Sequence, residues 1–117
     1  LFGNNTAIFL ALIKFIKMIY LTQLIYIHAG QEHAFHQFED VAIPLIEKYN
    51  GKLLLRIRPA TESFIAGELE RPYDINLVSF ENETDFEAFK LDKGREKVLH
   101  LKEASVRKML LVKGIAL

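Results

Sequence analysis

The apolar pattern from Met18 onward constrains the fold most strongly, because its period changes several times along the chain. Residues 18–28, MIYLTQLIYIH, are rich in β-branched and aromatic side chains and predict a strand covered on both faces. Between residues 31 and 49 the period becomes helical, with an apolar stripe formed by Phe35, Phe38, Ala42, Leu45, Ile46 and Tyr49. Pro44 removes one hydrogen bond within this helix, so a kink or a break is expected there.

Three further strands are predicted at residues 52–58, 73–81 and 109–117. Residues 82–85 supply caps for a helical piece before the last strand, and a second piece is expected over residues 95–108. The resulting order is strand, helix, strand, strand, helix, strand. This order predicts an α+β, ferredoxin-like fold, in which two helices lie on one face of a four-stranded antiparallel sheet.

Alternation along the strands predicts what covers the other face of this sheet. Each strand has one apolar parity and one mixed parity. The apolar parities are Ile19, Leu21, Ile25 and Ile27, then Leu53, Leu55 and Ile57, then Ile75 and Leu77. We assign the apolar parities to the helices. The mixed face is too apolar for solvent and too polar for a dry core, so a second copy of the chain is expected to cover it in a homodimer.

Several stretches of residues 18–114, in their order and spacing, resemble the dimeric α+β barrel superfamily and a widespread family of small proteins with an uncharacterised domain within it. They are the proline inside the first helix, PLIEKYNGKLLLR, IAGELERPYDINLVSFEN, DFEAF and MLLVKG. The resemblance implies the barrel fold and a homodimer, and it supplies no reaction or catalytic residue. Superfamily relatives include cofactor-independent monooxygenases, haem-degrading enzymes and lactone isomerases. Several oxygen-using relatives employ a tryptophan, which this chain lacks.

The mixed parities also predict a candidate site at the mouth of the barrel. Its expected members are Tyr26, His28, Arg56, Arg58, Asp74 and Asn76. Titratable groups in a semi-enclosed apolar cavity suit a small organic acid or an aromatic metabolite. Arg56 is the predicted anion anchor, and His28 is a weak candidate for a catalytic proton acceptor or donor.

Two alternatives stay open for the same residues, and with them the question of whether the chain is an enzyme. Arg56 and Asp74 can simply satisfy each other in a non-catalytic structural or regulatory homodimer. A monooxygenase-like or haem-degrading activity is a further alternative, for which His100 is the residue that a haem would need. Charged neighbours on its helical wheel predict that His100 is exposed instead.

A metal site is not predicted, nor any other cofactor. His33, His36 and Asp40 share one helical face and offer two imidazoles and a carboxylate. That face points away from the apolar stripe, so the three residues are expected in solvent, where a metal would lack further ligands and a shielded pocket. The chain has no cysteine, which excludes thiolate ligation and a disulfide framework.

Charge and the N-terminal segment limit the partners further. Fifteen basic residues balance fifteen acidic ones, so no long-range field favours nucleic acid or a membrane surface. The apolar run AIFLALI is interrupted by Lys14 before it could span a bilayer, and it lacks the basic residues and cleavage site of a signal peptide. We predict a helical extension over residues 1–17, a barrel domain over residues 18–117, and a cytoplasmic location.

Overall fold

A computed structural model describes residues 5–10 and 17–117 of the chain. The main elements are β1 (Ile19–Ile27), α1 (Glu32–Lys48), β2 (Gly51–Ile57), β3 (Asp74–Phe80), α2 (Glu83–Lys90), α3 (Lys93–Lys97), α4 (Leu99–Ser105) and β4 (Val106–Gly114). A short 3-10 turn, Thr61–Ser63, lies in the connection between β2 and β3. Residues 5–10 are helical; the rest of the predicted extension, apart from Lys17, lies outside the described residues.

The four strands form one antiparallel sheet in the order β2-β3-β1-β4, which confirms the predicted ferredoxin-like topology. α1 continues through Pro44, so of the expected kink or break the break is absent. The last helical region is shorter than predicted, and β4 begins at Val106 rather than at Met109. Asp92 starts α3, because its carboxylate accepts hydrogen bonds from the backbone amides of Gly94 at 2.7 Å and Arg95 at 3.1 Å.

The hydrophobic core lies between the sheet and the helices. Its buried cluster consists of Ile19, Leu21, Ile46, Val78, Phe80 and Phe86. The rings of Phe80 and Phe86 have centroids 5.4 Å apart, so α2 packs directly on β3. Gly51 allows α1 to lie close to the sheet, because a Cβ atom there would stand 2.6 Å from Ile46 Cγ2 and 2.7 Å from the Phe80 ring.

The register of β1 and β3 corrects one predicted face. Ile25 lies opposite Asp74, Gln23 opposite Asn76, and Leu21 opposite Val78. Directly opposite residues share a face of the sheet. The face of β3 that meets the helices is therefore the parity with Asp74 and Asn76, and the prediction from Ile75 and Leu77 was wrong. The apolar parity of β1 was assigned correctly.

A β-bulge produces the same reversal in β2. The register shifts between Leu53 and Leu55, so Leu53 faces the helices but Arg56, opposite Asn76, does too. Leu55 and Ile57 instead share the open face with Leu77 and Ile75.

This open face is more apolar than predicted. The apolar side chains that remain exposed on it are Leu55 (45%), Ile57 (44%), Leu110 (38%) and Val112 (61%).

Among the described residues, the structure contains no helix with the length and apolar character needed to cross a membrane.

Candidate functional site

An ionic cluster with two buried carboxyl groups lies beneath α1, where the end of β2 meets the start of β3. Arg58 donates from Nε to Oδ1 of Asp74 at 2.8 Å, and Arg56 donates from Nε to Oδ2 at 3.3 Å. Arg56 also donates from Nη2 to Oε1 of Glu39, which α1 places above the sheet. The cluster is therefore a chain of alternating charges that runs from Glu39 through Arg56 and Asp74 to Arg58.

Topology explains how the sheet tolerates these charges. β2 is an edge strand, so the guanidinium groups of Arg56 and Arg58 keep contact with water at the side of the sheet, with 33% and 45% of their side chains exposed. Asp74, on a central strand, is completely buried. A buried carboxylate is tolerated when cations and hydrogen bonds satisfy it, and here both oxygens of Asp74 accept from arginine.

Within this cluster, Glu39 has a pKa far from its ordinary value. It is only 4% exposed. Burial raises the pKa of Glu39, the charge of Arg56 lowers it and the charge of Asp74 raises it, and the balance of these effects is a pKa of about 7. A carboxyl group with a pKa near the ambient pH can both give and accept a proton, which is the property required of an acid–base group.

Glu39 also lines an interior cavity of about 70 Å³ between the helices and the sheet. Most of its wall is apolar, and its polar members are Gln23, Glu39, Asn76, Arg95 and Lys102. Asn76 is 4% exposed, and its Oδ1 has no hydrogen-bond partner among the described residues. The buried Nε of Arg95 also has no hydrogen-bond partner within residues 5–10 and 17–117. Unsatisfied buried polar atoms beside a cavity mark a position that a polar guest would stabilise.

Two cations of this wall are partly withdrawn from water. Burial lowers the pKa of Lys102, and the nearby charge of Arg95 lowers it further. Burial also lowers the pKa of Arg95, whose guanidinium lies 5.6 Å from the ring centre of Phe38 and 5.4 Å from that of Phe89. An anion with an apolar body would meet both desolvated positive charge and aromatic surface here.

The structure divides the six predicted site residues between two faces of the sheet. Arg56, Asp74 and Asn76 lie on the helix side, so the prediction that they line the mouth on the open face was wrong. Arg58 follows the end of β2 and bonds to Asp74. Arg56 and Asp74 form the ion pair that the alternative of a non-catalytic homodimer supposes. A role for these residues in ligand binding stays a prediction.

The other two predicted residues do not belong to the ionic cluster. Tyr26 lies on the open-face parity of β1 and is 2% exposed, because its hydroxyl donates to the backbone carbonyl of Glu70 at 2.7 Å and the β2–β3 connection covers it. His28 follows the end of β1 with an exposed side chain, and its backbone amide donates to the carbonyl of Ser105 at 2.8 Å. The cluster therefore gives no support to a proton-transfer role for His28.

Sequence reasoning missed the three charged residues of the cavity wall. Glu39 had a usable signal, since it follows Phe35 by four positions and precedes Ala42 by three, which places it on the apolar stripe of α1. Arg95 and Lys102 had no such signal, because each lies in a segment with the composition of a solvated surface.

The histidines outside this cluster have different surroundings. His33, Asp40 and His100 are exposed, as predicted. His36 is half-buried, which the prediction did not anticipate: its Nε2 lies 2.6 Å from the hydroxyl of Tyr73, and the two rings stack at 5.8 Å. Within residues 5–10 and 17–117, no group of three or more His, Cys, Asp or Glu side chains could hold a metal ion.

Comparison with known proteins tests the fold. No family model matches the sequence, and no curated protein matches it. A solved protein of unknown function from Rhodopseudomonas palustris is 14% identical, superposes with a TM-score of 0.76, and is matched over 87% of this chain and 84% of that one. The fold is ferredoxin-like. Two further solved structures have the same fold.

A DABB family protein with a ferredoxin-like fold from Mesorhizobium loti is 14% identical, with a TM-score of 0.61 over 86% of this chain and 97% of that one. A dimeric ferredoxin-like protein of unknown function from a Jannaschia species is 16% identical, with a TM-score of 0.65 over 85% of this chain and 99% of that one. These structures confirm the ferredoxin-like fold that the resemblance implied.

Proposed function

We propose that this protein is a homodimer in which each chain binds a small organic acid in its interior cavity, with Glu39 exchanging a proton with the ligand. The observation that carries this proposal is the position of Glu39, a buried carboxyl group with a pKa of about 7 in the wall of a cavity. The buried Nε of Arg95 in the same wall has a free N–H to donate to a carboxylate, whereas Oδ1 of Asn76 can accept only from a donor group of the guest. The alternative of an inert structural homodimer predicts no ligand there.

The charge of the wall favours an acid over a neutral ligand. Arg95 and Lys102 have lost part of their hydration, and a carboxylate would restore the lost interactions through charge-assisted hydrogen bonds. Phe35, Phe38 and Phe89 supply aromatic surface for the body of the ligand. An aromatic carboxylate therefore matches both parts of the cavity.

The size of the cavity predicts a movement on binding. A volume of 70 Å³ suits about two water molecules, whereas benzene is known to occupy a cavity of about 150 Å³. A ring-sized ligand thus requires the wall to move outward. Arg95 belongs to α3 and Lys102 to α4, which have only five and seven residues. Short helices open at a lower free-energy cost than the central strands.

A titration with benzoate, followed by two-dimensional amide NMR, tests the cavity. We expect Arg95→Gln and Lys102→Gln each to weaken benzoate binding about tenfold, because each removes one charge-assisted contact. Lys97→Gln, an exposed lysine of α3, is the matched control and should bind as the wild type does. Binding should also weaken between about pH 6 and about pH 8, because ionised Glu39 repels the carboxylate.

Two outcomes would contradict the interior site. Benzoate that causes no amide shifts would support the inert homodimer, and equal losses in all three variants would assign the effect to overall charge. Circular dichroism of each variant separates a lost contact from a lost fold.

The open face of the sheet supports the homodimer. Leu55, Ile57 and Val112 are largely exposed on it in one chain, and an apolar patch of this kind typically marks an interface. The Jannaschia protein with the same fold is described as dimeric. A second copy would cover the face with the same apolar surface.

Light scattering at micromolar concentration tests the homodimer. The wild type should have twice the chain mass of 13.5 kDa, and Leu55→Lys should have the mass of one chain, since a two-fold interface would bury two ammonium groups. Leu91→Lys is the control, because Leu91 is 77% exposed and follows α2 rather than lying on the sheet. A monomeric wild type, or an unchanged mass for Leu55→Lys, would contradict the proposed interface.

A further inference from the structure

A second and larger pocket lies at the end of the sheet where β1 and β2 finish, and we call it the strand-end pocket. Its volume is about 310 Å³, at the lower end of the range for small-molecule sites. Charged and aromatic side chains supply much of its wall, namely Arg58, Arg71, Arg107, Glu70, Tyr26 and Tyr73. Pro59 adds apolar surface.

Positive charge exceeds negative charge in this pocket. Its wall holds three guanidinium groups and one carboxylate, that of Glu70, which pairs with Arg107. Arg71 donates to the hydroxyl of Thr61 at 3.0 Å. Among the described residues, no carboxylate forms a salt bridge with Arg71. The counter-charge of Arg58 is Asp74, which lies outside the pocket wall and is shared with Arg56. The wall therefore has an excess of two positive charges.

Two contacts fix the geometry of the strand-end pocket. The guanidinium of Arg58 lies 4.1 Å from the ring centre of Tyr73 while its Nε bonds to Asp74. Tyr26 ties the β2–β3 connection to the sheet through its hydrogen bond to the carbonyl of Glu70. Arginines held in place lose little entropy on binding, and their planar forks match the oxygens of carboxylates and phosphates.

We propose that the strand-end pocket binds a phosphate monoester with a small flat body. The excess of two positive charges matches the charge of a monoester near neutral pH. Tyr73 and Pro59 give the ester group an apolar surface that inorganic phosphate could not use. The pocket is distinct from the interior cavity, because the pair of Arg56 and Asp74 lies between Arg58 and Glu39.

Isothermal titration calorimetry with phenyl phosphate tests this site on the whole chain. We expect Arg71→Gln and Arg107→Gln each to weaken phenyl phosphate binding about tenfold, because each removes a charge-assisted contact. Lys52→Gln, an exposed lysine at the start of β2, is the control for overall charge and should bind as the wild type does. Arg95→Gln should also bind normally, which separates this site from the interior cavity.

Inorganic phosphate provides the second arm of the test. It should bind more weakly than phenyl phosphate if the apolar wall contacts the ester group. Equal binding of the two would overturn the assignment of a monoester, and equal losses in Arg71→Gln and Lys52→Gln would overturn the site itself. Failure of phenyl phosphate to bind the wild type would overturn the proposal while leaving the benzoate result at Arg95 unaffected.

Discussion

Replacement of Asp74 by alanine is expected to lower the free energy of unfolding by about 3 kcal/mol. Asp74 is completely buried, and its two oxygens accept hydrogen bonds from Arg56 and Arg58. Without this carboxylate the two guanidinium groups repel each other, and only Glu39 remains to compensate them. Partial exposure of both arginines to water keeps the expected loss at the lower end of the range for broken buried ion pairs.

Urea unfolding followed by circular dichroism measures this loss. Asp40→Ala, at an exposed position of α1, is the matched control and should change stability by no more than about 0.5 kcal/mol. The double variant Asp74→Ala with Arg58→Ala should lose less than the sum of the two single variants, because each single change leaves an unpaired charge that the double change removes. Additive losses would show that the pair is not coupled.

The ionic cluster also explains which parts of the fold were predictable from the sequence. The order of elements and the inward face of β1 follow from residues such as Leu21 and Ile25, where periodicity and burial agree. The inward face of β3 was predicted wrongly because apolar residues are normally assigned to the core. Here Asp74 and Asn76 are buried instead, since arginines from the next strand compensate the charge of Asp74.

The bulge in β2 is a second reason for the error. A shift of one residue between Leu53 and Leu55 reverses the face of everything that follows, and the apolar run LLL contains no signal for its position. The pair of Arg56 and Asp74, which was one of the alternatives left open, is present despite this error because both residues changed faces together. A contact between neighbouring strands was therefore easier to predict than the side of the sheet on which it lies.

The candidate site was less predictable than the fold, because its residues come from distant parts of the chain. Glu39, Asn76 and Lys102 meet only after α1 and α4 pack on the sheet. Of these, only Asn76 was among the predicted site residues, and it was predicted on the open face of the sheet rather than on the helix face. The position of Glu39 on the apolar stripe of α1 indicated its burial, but its pKa also depends on the charges of Arg56 and Asp74, which no local pattern could have placed beside it.

Glu39 should make the stability of the protein depend on pH in a defined window. Its pKa is about 7 in the folded chain, against an ordinary value of 4.5. The folded state therefore binds this proton more tightly than the unfolded state does, and the resulting stability is fully present below about pH 4.5. As the pH rises from there to about 7, this contribution is lost, by about 3 kcal/mol at 1.4 kcal/mol for each pH unit.

The comparison that isolates this effect is between the wild type and Glu39→Gln, unfolded with urea at intervals from about pH 4 to about pH 8. Glutamine keeps a carbonyl oxygen for Arg56 but cannot ionise. The difference in free energy of unfolding between the two proteins should change by about 3 kcal/mol across the window, while other titrating groups cancel. Glu47→Gln, at an exposed position of the same helix, should follow the wild type at every pH. Parallel curves for the wild type and Glu39→Gln would mean that Glu39 titrates normally, and the benzoate site would then have no acid–base group.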